Sequence, residues 1–224
     1  MMDAHLSTPT QPILNADPKD PKHRILDAAE RLFTERGIGA TSLRAITGAA
    51  GMNPAAIHYH YGSKDALVLA VARRRIDPVN RHRLQTLEKL EAEARGAAVE
   101  LEDLVEAFLA PQLFTVSARF GAIVHHESLE IVGQIVPELF GEVHDRFMAA
   151  LTLALPELSP PVLETRFRFA VGVMLHVLRG FAGIPMGEAA FQPPSSSDEA
   201  MLQQMVTFLA AGLRAPAAPE ETRR

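Results

Sequence analysis

Apolar residues recur at helical spacing along nearly the whole chain, and no stretch shows the alternation of a β-strand or an internal repeat. Ile25, Ala28, Ala29, Leu32 and Phe33 mark a first helix. Asp20-Pro21 opens it as cap and first-turn proline, and Gly37 stops it, with Ile38 placed to fold back on Phe33. Leu43, Ile46 and Ala50 form the face of a second, short helix, with Thr41 as its expected N-cap and Gly51 as its terminator. Asn53 and Pro54 open a third in the same cap-plus-proline manner. Met52 and Ile57 stand at the spacing of a hydrophobic staple, and Tyr61 continues the buried side. Gly62 ends this helix and Ser63 caps a fourth, whose inward residues are Leu67, Ala70 and Val71. Pro78 lacks a backbone donor and clashes with the carbonyl four residues back, so a kink or break is expected near residues 74–79. Leu84, Leu87 and Leu90 then resume the pattern up to Arg95-Gly96.

The rest of the chain also reads as helix. Leu101, Leu104, Val105, Phe108 and Leu109 form one stripe, bent by Pro111. Phe120, Ile123 and Val124 begin the next, which Ile131, Ile135 and Val136 close. Pro137 is expected to open another, with Leu139, Phe140, Val143, Phe147 and Leu151. Ser159-Pro160 starts a long helix carrying Leu163, Phe167, Ala170, Val171, Met174, Leu175 and Leu178. Residues 183–197 read as a Pro/Gly/Ser loop, and Ser197 with Asp198 and Glu199 caps a last helix bearing Met201, Leu202, Met205, Val206, Leu209 and Leu213. The chain is therefore expected to be all-α. It divides into a disordered tail over 1–19, a small helical head over 20–74, a larger helical domain over 75–213 and a frayed tail over 214–224.

Charge separates the head from the rest. The net charge of −5 argues against a generic nucleic-acid coat. Residues 22–75 nevertheless hold nine Lys and Arg against four Asp and Glu, a surplus of five, which leaves −10 on the remainder. A basic module on an acidic body is the footprint of a nucleic-acid-binding head with a separate ligand or partner domain. At 47% hydrophobic the chain can build a sizeable core. The absence of Cys excludes disulfides and thiolate metal sites. The N-terminus carries no signal-peptide pattern, and the longest apolar run, around 169–178, is too short to span a bilayer. A cytoplasmic protein with no membrane partner is expected.

The second and third helices with their tight turn form a helix-turn-helix, which can place its second helix in a DNA major groove. With Ile57 and Tyr61 turned inward, Ala55, His58 and Tyr59 are left facing outward, with His60 near the helix end and Asn53 at its cap. Thr41, Ser42 and Arg44 open the supporting helix, where they can reach phosphates. Lys64 lies at a helix N-terminus, where a cation opposes the macrodipole and can help the helix end hold an anion. His125, His126, Glu127, Glu130 and His144 are ligand-type residues, but they lack the spacing of a known metal motif, and no metal or other cofactor is expected. No phosphate loop, nucleophile elbow or metal-hydrolase signature is present, so an enzyme is not expected. In the larger domain, Phe108, Phe140, Phe147, Met148 and Met174 suit an apolar ligand, and His176 interrupts the apolar helix where a ligand anchor can sit.

Residues 25–33, Gly37, Thr41 and Ser42, Ile46, 49–51, 57–61 and 63–67 together resemble the N-terminal domain of TetR-type (TetR/AcrR) transcriptional regulators. The resemblance is carried by order, spacing and residue class over the head and says little beyond about Arg75. Asn53-Pro54 stands where that family often has Ser-Lys, and His58-Tyr59 where it often has Tyr-His. The resemblance implies that Lys64 contacts the DNA backbone and that the last two helices pair with a second copy in a four-helix interface. Ala170, Val171, Met174, Leu178, Met205, Val206 and Leu209 are the expected interface residues. The resulting expectation is a homodimeric repressor of a double-stranded operator, read as an inverted repeat and released by a small, largely apolar effector. One alternative is a ligand-independent regulator whose C-terminal domain only dimerises or docks a protein. Another is a helical ligand-binding or scaffold protein without DNA function.

Overall fold

The computed structural model describes residues 20–53, 55–113, 129–179 and 198–217; for 129–136, 178, 179 and 198 it describes the backbone alone. Among these residues there are eight helices and no strand: α1 (Pro21–Arg36), α2 (Leu43–Ala49), α3 (Ala55–Tyr61), α4 (Lys64–Ala94), α5 (Leu101–Leu113), α6 (Leu129–Ala154), α7 (Pro160–Arg179) and α8 (Asp198–Arg214). The expected tail over 1–19, the helix beginning near Phe120, the loop over 183–197 and the Ser197 cap lie outside the described residues.

The apolar stripes close into two cores. Ile25, Ala29, Phe33, Ile46 and Ile57 of α1–α3 pack with Leu67, Val71 and Ile76 of α4 to form the head. Leu87 of α4 packs with α5 to α8 through Leu104, Phe108, Phe147, Leu163, Phe167, Val206 and Leu209 to form the body. Local signals set the helix ends. Asp20 accepts the Lys22 N–H at 3.1 Å to start α1, and the N–H of Gly37, at φ 83°, donates to the Phe33 carbonyl at 2.9 Å to end it.

The expected break near Pro78 does not occur, since α4 is one helix of 31 residues that contributes to both cores. Pro78 is exposed, while Ile76, Val79, Asn80 and Arg83 around it are buried. Packing on both sides therefore offsets the single backbone hydrogen bond that the proline removes. The same correction applies to Pro137, which lies inside α6 rather than opening a helix. Two residues later Leu139 docks on the head core, with Phe140 half-buried beside it.

Polar contacts tie α4 to both α6 and α1. Asn80 donates to the Leu139 carbonyl at 2.5 Å, Arg73 pairs with Glu138 at 2.8 Å, and Arg74 and Arg75 of α4 pair with Asp27 and Glu30 of α1. The tail expected from 214 onward is held at its start. Arg166 donates to the carbonyls of Leu213, Ala215 and Pro216 at 2.7, 2.5 and 3.0 Å, and Arg214 pairs with Glu102. No helix among the described residues is long and apolar enough to cross a membrane.

Candidate nucleic-acid interface

Ser42, not Thr41, is the N-cap of α2: its Oγ accepts the Ala45 N–H at 3.1 Å. Thr41 is 1% exposed, and its hydroxyl donates to the Gly37 carbonyl at 2.7 Å. It therefore locks the α1–α2 turn and cannot reach a phosphate. Ser42 and Arg44 remain exposed at the start of α2.

The turn between α2 and α3 is built on Gly51. Its φ is 64°, a conformation that costs little only without a side chain. The Met52 N–H reaches back to the Thr47 carbonyl at 2.8 Å, which closes the helix end. Arg24 of α1 braces the same turn by donating to the Ala50 carbonyl at 2.5 Å, and a Cβ on residue 51 would meet that guanidinium at 2.9 Å. Asn53 then caps α3, its Oδ1 accepting the Ala55 N–H at 2.9 Å.

Fully buried Ile57 anchors the inner side of α3. Tyr61 is half-buried and donates its hydroxyl to the Lys22 carbonyl at 2.7 Å, tying α3 to α1; burial pushes its phenol up to about 12, so it stays a donor. On the outer side, Ala55, His58 and Tyr59 are exposed, Tyr59 at 86%, and the His60 ring meets Tyr59 edge-on at 4.9 Å. The His58 Nδ1–H donates to the Gly62 carbonyl at 2.9 Å. This fixes the ring and leaves Nε2 pointing away from that bond as an acceptor in the neutral imidazole.

Lys64 opens α4 and is half-buried. Its Nζ donates to the Ile38 carbonyl at 2.7 Å, across the mouth of the α1–α2 turn. An ammonium has three donors, so two remain. Farther along α4, Arg73, Arg74 and Arg75 are paired with Glu138, Asp27 and Glu30; of these acids only Glu138 lies outside residues 22–75, so it alone adds to the acids already counted there. The sequence reading missed Arg24 and the Lys22–Tyr61 link. Both join α1 to the helix-turn-helix across long sequence separations and leave no local signal.

The candidate effector residues do not form one cluster. Phe108 and Phe147 meet edge-on at 5.3 Å, Phe108 and Phe167 at 5.1 Å, and Met174 is buried in the same core, with Met148 packed against it. Phe140 packs instead against the head, because α6 turns that position toward α4. His176 is exposed. The residues read as a dimer interface need a similar correction. Ala170, Met174, Met205, Val206 and Leu209 are already buried within one protomer, and Val171 packs half-buried against the same core; the side chain of Leu178 lies outside the described residues. Among the described residues, the large apolar groups left exposed on α7 and α8 are Phe169, at 66%, and Phe208, at 67%. His125, His126 and Glu127 lie outside the described residues, and His144 pairs with Asp145 and Glu164. No group of three or more metal-ligand side chains occurs among the described residues.

A short, aromatic-faced helix presented on a three-helix head, with a long helix leading into a separate helical body, defines a helix-turn-helix transcriptional regulator. Comparison with known proteins narrows the class. Residues 25–71 match the family of bacterial regulatory proteins of the tetR family, and residues 106–212 match the tetracyclin repressor-like C-terminal domain. The chain belongs to the TetR family of DNA-binding regulators, a family of regulators and not of enzymes. It is 23% identical over 192 residues to the HTH-type transcriptional regulator BetI of Brucella suis, covering 85% of this chain and 92% of that one. It is 34% identical over 71 residues to the regulator UidR of Escherichia coli K12, which covers 32% of each chain. Among solved structures, a tetR-family regulatory protein from Rhodococcus RHA1 shares the fold at a TM-score of 0.61 and 16% identity, over 89% of this chain and 100% of that one. AmtR of Mycobacterium smegmatis does so at 0.55 and 19%, over 93% and 92%.

Proposed function

We propose that this regulator is a homodimeric repressor acting in the cytoplasm, which binds an inverted-repeat operator and leaves it when a small organic effector enters the body. The observation that carries the reading is the outer face of α3: Tyr59 and His58 stand exposed on a helix whose other side is anchored by Ile57 and Tyr61. Tyr59 and His58 are the base-reading groups. The free Nε2 of a neutral His58 accepts a hydrogen bond from an exocyclic base amine, and the Tyr59 hydroxyl donates or accepts. Ser42, Arg44, Asn53, His60 and Lys64 surround them and hold phosphates, and Ala55 lets the helix approach the groove closely.

One recognition helix spans too few base pairs to choose a genomic site, and two paired heads that read two half-sites, one helical turn or a multiple of it apart, solve this. Phe169 and Phe208 lie opposite the buried stripes of α7 and α8, and they centre the face that a second copy covers. Repressor is also the role in the name of KstR2 of Rhodococcus jostii, 40% identical over 53 residues.

The test is a binding titration against the DNA upstream of the protein's own coding region, at several salt concentrations. Salt-dependent, saturable binding to an inverted repeat is expected, and no preference over random DNA would refute the reading in favour of a scaffold. The edge-on packing of Phe108 against Phe147 and Phe167 favours a second reading, a regulator that takes no ligand. Compounds that raise the melting temperature and also release operator DNA decide for the first reading over the second.

A further inference from the structure

Arg83 lies in the middle of α4 with 0% of its surface exposed. Arg73, Arg74, Arg75, Arg146, Arg168 and Arg214 are each at least partly exposed and each have a carboxylate partner. Arg83 has none among the described residues, and burial alone pushes its guanidinium down to about 10. This inverts the usual economy of charge, because a cation removed from water needs a counter-charge far more than one in it.

Among the described residues its hydrogen bonds are also incomplete. Nε donates to the Phe108 carbonyl at 2.7 Å, Nη1 to Asn80 Oδ1 at 3.2 Å, and Nη2 points at the Met174 sulfur at 3.4 Å. A guanidinium has five N–H donors, and a thioether is a weak acceptor. One N–H therefore remains on each terminal nitrogen, beyond these three acceptors. Those two nitrogens form the edge that takes a carboxylate with two parallel bonds. The surroundings are apolar and aromatic: the guanidinium lies 4.4 Å from the centroid of the Phe108 ring, with Phe147 and Phe167 edge-on to that ring. Met174, unbranched and with three rotatable bonds, is the neighbour that moves most easily.

We infer that Arg83 is the anchor for an anionic effector, a small organic acid whose carboxylate displaces the Met174 thioether and whose apolar body lies among Phe108, Phe147 and Phe167. The inference rests on the effector-released reading above and names the chemical class of the ligand. The site is also joined to the head. Asn80, which accepts from Arg83, donates to the Leu139 carbonyl, and Leu139 packs in the head core. An acid that re-aims Arg83 therefore disturbs the contact on which the head rests.

The test uses the purified full chain with matched acids and amides: 4-phenylbutyrate against 4-phenylbutyramide, and hexanoate against hexanamide. Each acid should raise the melting temperature of the parent protein more than its amide does. Arg83→Met should melt no lower than the parent in the absence of acid, and its acid affinity should fall about tenfold or more. Arg83→Lys, which keeps the charge but loses the fork, should keep a weaker preference for acids. Equal shifts from acid and amide in the parent, or an undiminished preference in Arg83→Met, would overturn the site. If Arg83→Met does not fold, the Arg83 Nε–H resonance decides: a shift with acid and none with amide supports the site, and no shift with acid overturns it. Operator binding separates the two claims. Acids that bind through Arg83 yet leave operator affinity unchanged sink the effector reading and keep the site. Neutral compounds that release DNA equally from the parent and Arg83→Met sink the site and keep the effector reading.

Discussion

The head and the body follow different rules of construction. The head is mostly short helices joined by turns, and the helix starts are set by groups a few positions away: Asp20 on Lys22, Ser42 on Ala45, Asn53 on Ala55, Ser63 on Ala66. The body is long helices whose stripes meet partners far along the chain, such as Arg83 on Phe108 and Met174, or Arg166 on Leu213. A cap is a local event and can be read from a few residues. A stripe shows only that one side of a helix is buried, not what buries it.

The largest expected effect tests whether the two regions are separate at all. Phe147 is buried in the body, and Phe147→Ala should cost about 3–5 kcal/mol. Because α4 contributes to both cores without a break, head and body should melt together in one transition, at a lower temperature. A head that stays folded after the body melts, seen by the environment of Tyr61, would show that the joint is weaker than the shared helix implies.

A double change, Phe169→Asp with Phe208→Asp, should leave each subunit folded, since both positions are exposed. It should yield monomers by light scattering and weaken operator binding about a hundredfold or more, because two linked heads gain from their high effective concentration. A variant that remains dimeric would move the interface off this face.

Within the head, Tyr59→Ala and Lys64→Ala should part company. Loss of Tyr59 should cost about 1–3 kcal/mol on the specific site and little on random DNA. Loss of Lys64 should weaken both alike and reduce the log–log salt slope by about one unit. Since Nζ also holds the Ile38 carbonyl, a drop in melting temperature should accompany it. An unchanged slope with that drop would assign Lys64 to the turn alone.

The smallest effect is a pH dependence in the body. His144 of α6 donates to Asp145 at 3.0 Å and to Glu164 of α7 at 2.8 Å; the Asp145 carboxylate first, then Glu164, raise its imidazole above the ordinary range against the opposing effect of partial burial. A raised histidine binds its proton more tightly in the folded state. Its contribution is therefore complete below the ordinary value near 6.5 and fades as pH climbs through the higher folded value. The pair is partly exposed and screened by solvent, so the gain is at most about 1 kcal/mol. Comparing melting at pH 6 and 8 with that of His144→Gln checks it, and parallel curves would remove the pair from the stability of the body.

These contrasts explain what could be read in the sequence. The all-α class, the caps at Asp20, Asn53 and Ser63 and the outward face of α3 follow from spacing within a turn or two. Thr41 was misplaced because two adjacent hydroxyl residues offer the same cap, and only the fold reveals that one is needed inside. Sequence alone allows a break at Pro78 and a helix start at Pro137, because a proline's local cost is visible and the packing that carries each helix through it is not. Met205, Val206 and Leu209 were given to a partner molecule because the sequence does not say that α5 already covers them. Arg83 gives no sign at all: it is one arginine among many, and its partners on α5 and α7 arrive later in the chain.

The unbroken α4 has a mechanical consequence. Nineteen positions separate Arg83 from Lys64, about 28 Å along a helix axis. A rod of that length turns a tilt of about 5° at the body into a displacement of about 2–3 Å at the end that seats the reading helix, comparable with the tolerance of a hydrogen bond to a base edge. In the dimer proposed above, two such rods tilting in opposite senses would change the gap between reading helices by up to twice that amount, set against half-sites about 34–36 Å apart. Pro78, where one rung of the backbone ladder is missing, lies between the two ends and is where this rod flexes most easily. Under the proposed effector-release mechanism, the stiffness of α4 at Pro78 would help set how far a small movement in the body is felt at the DNA, and Pro78→Ala is the change that stiffens it.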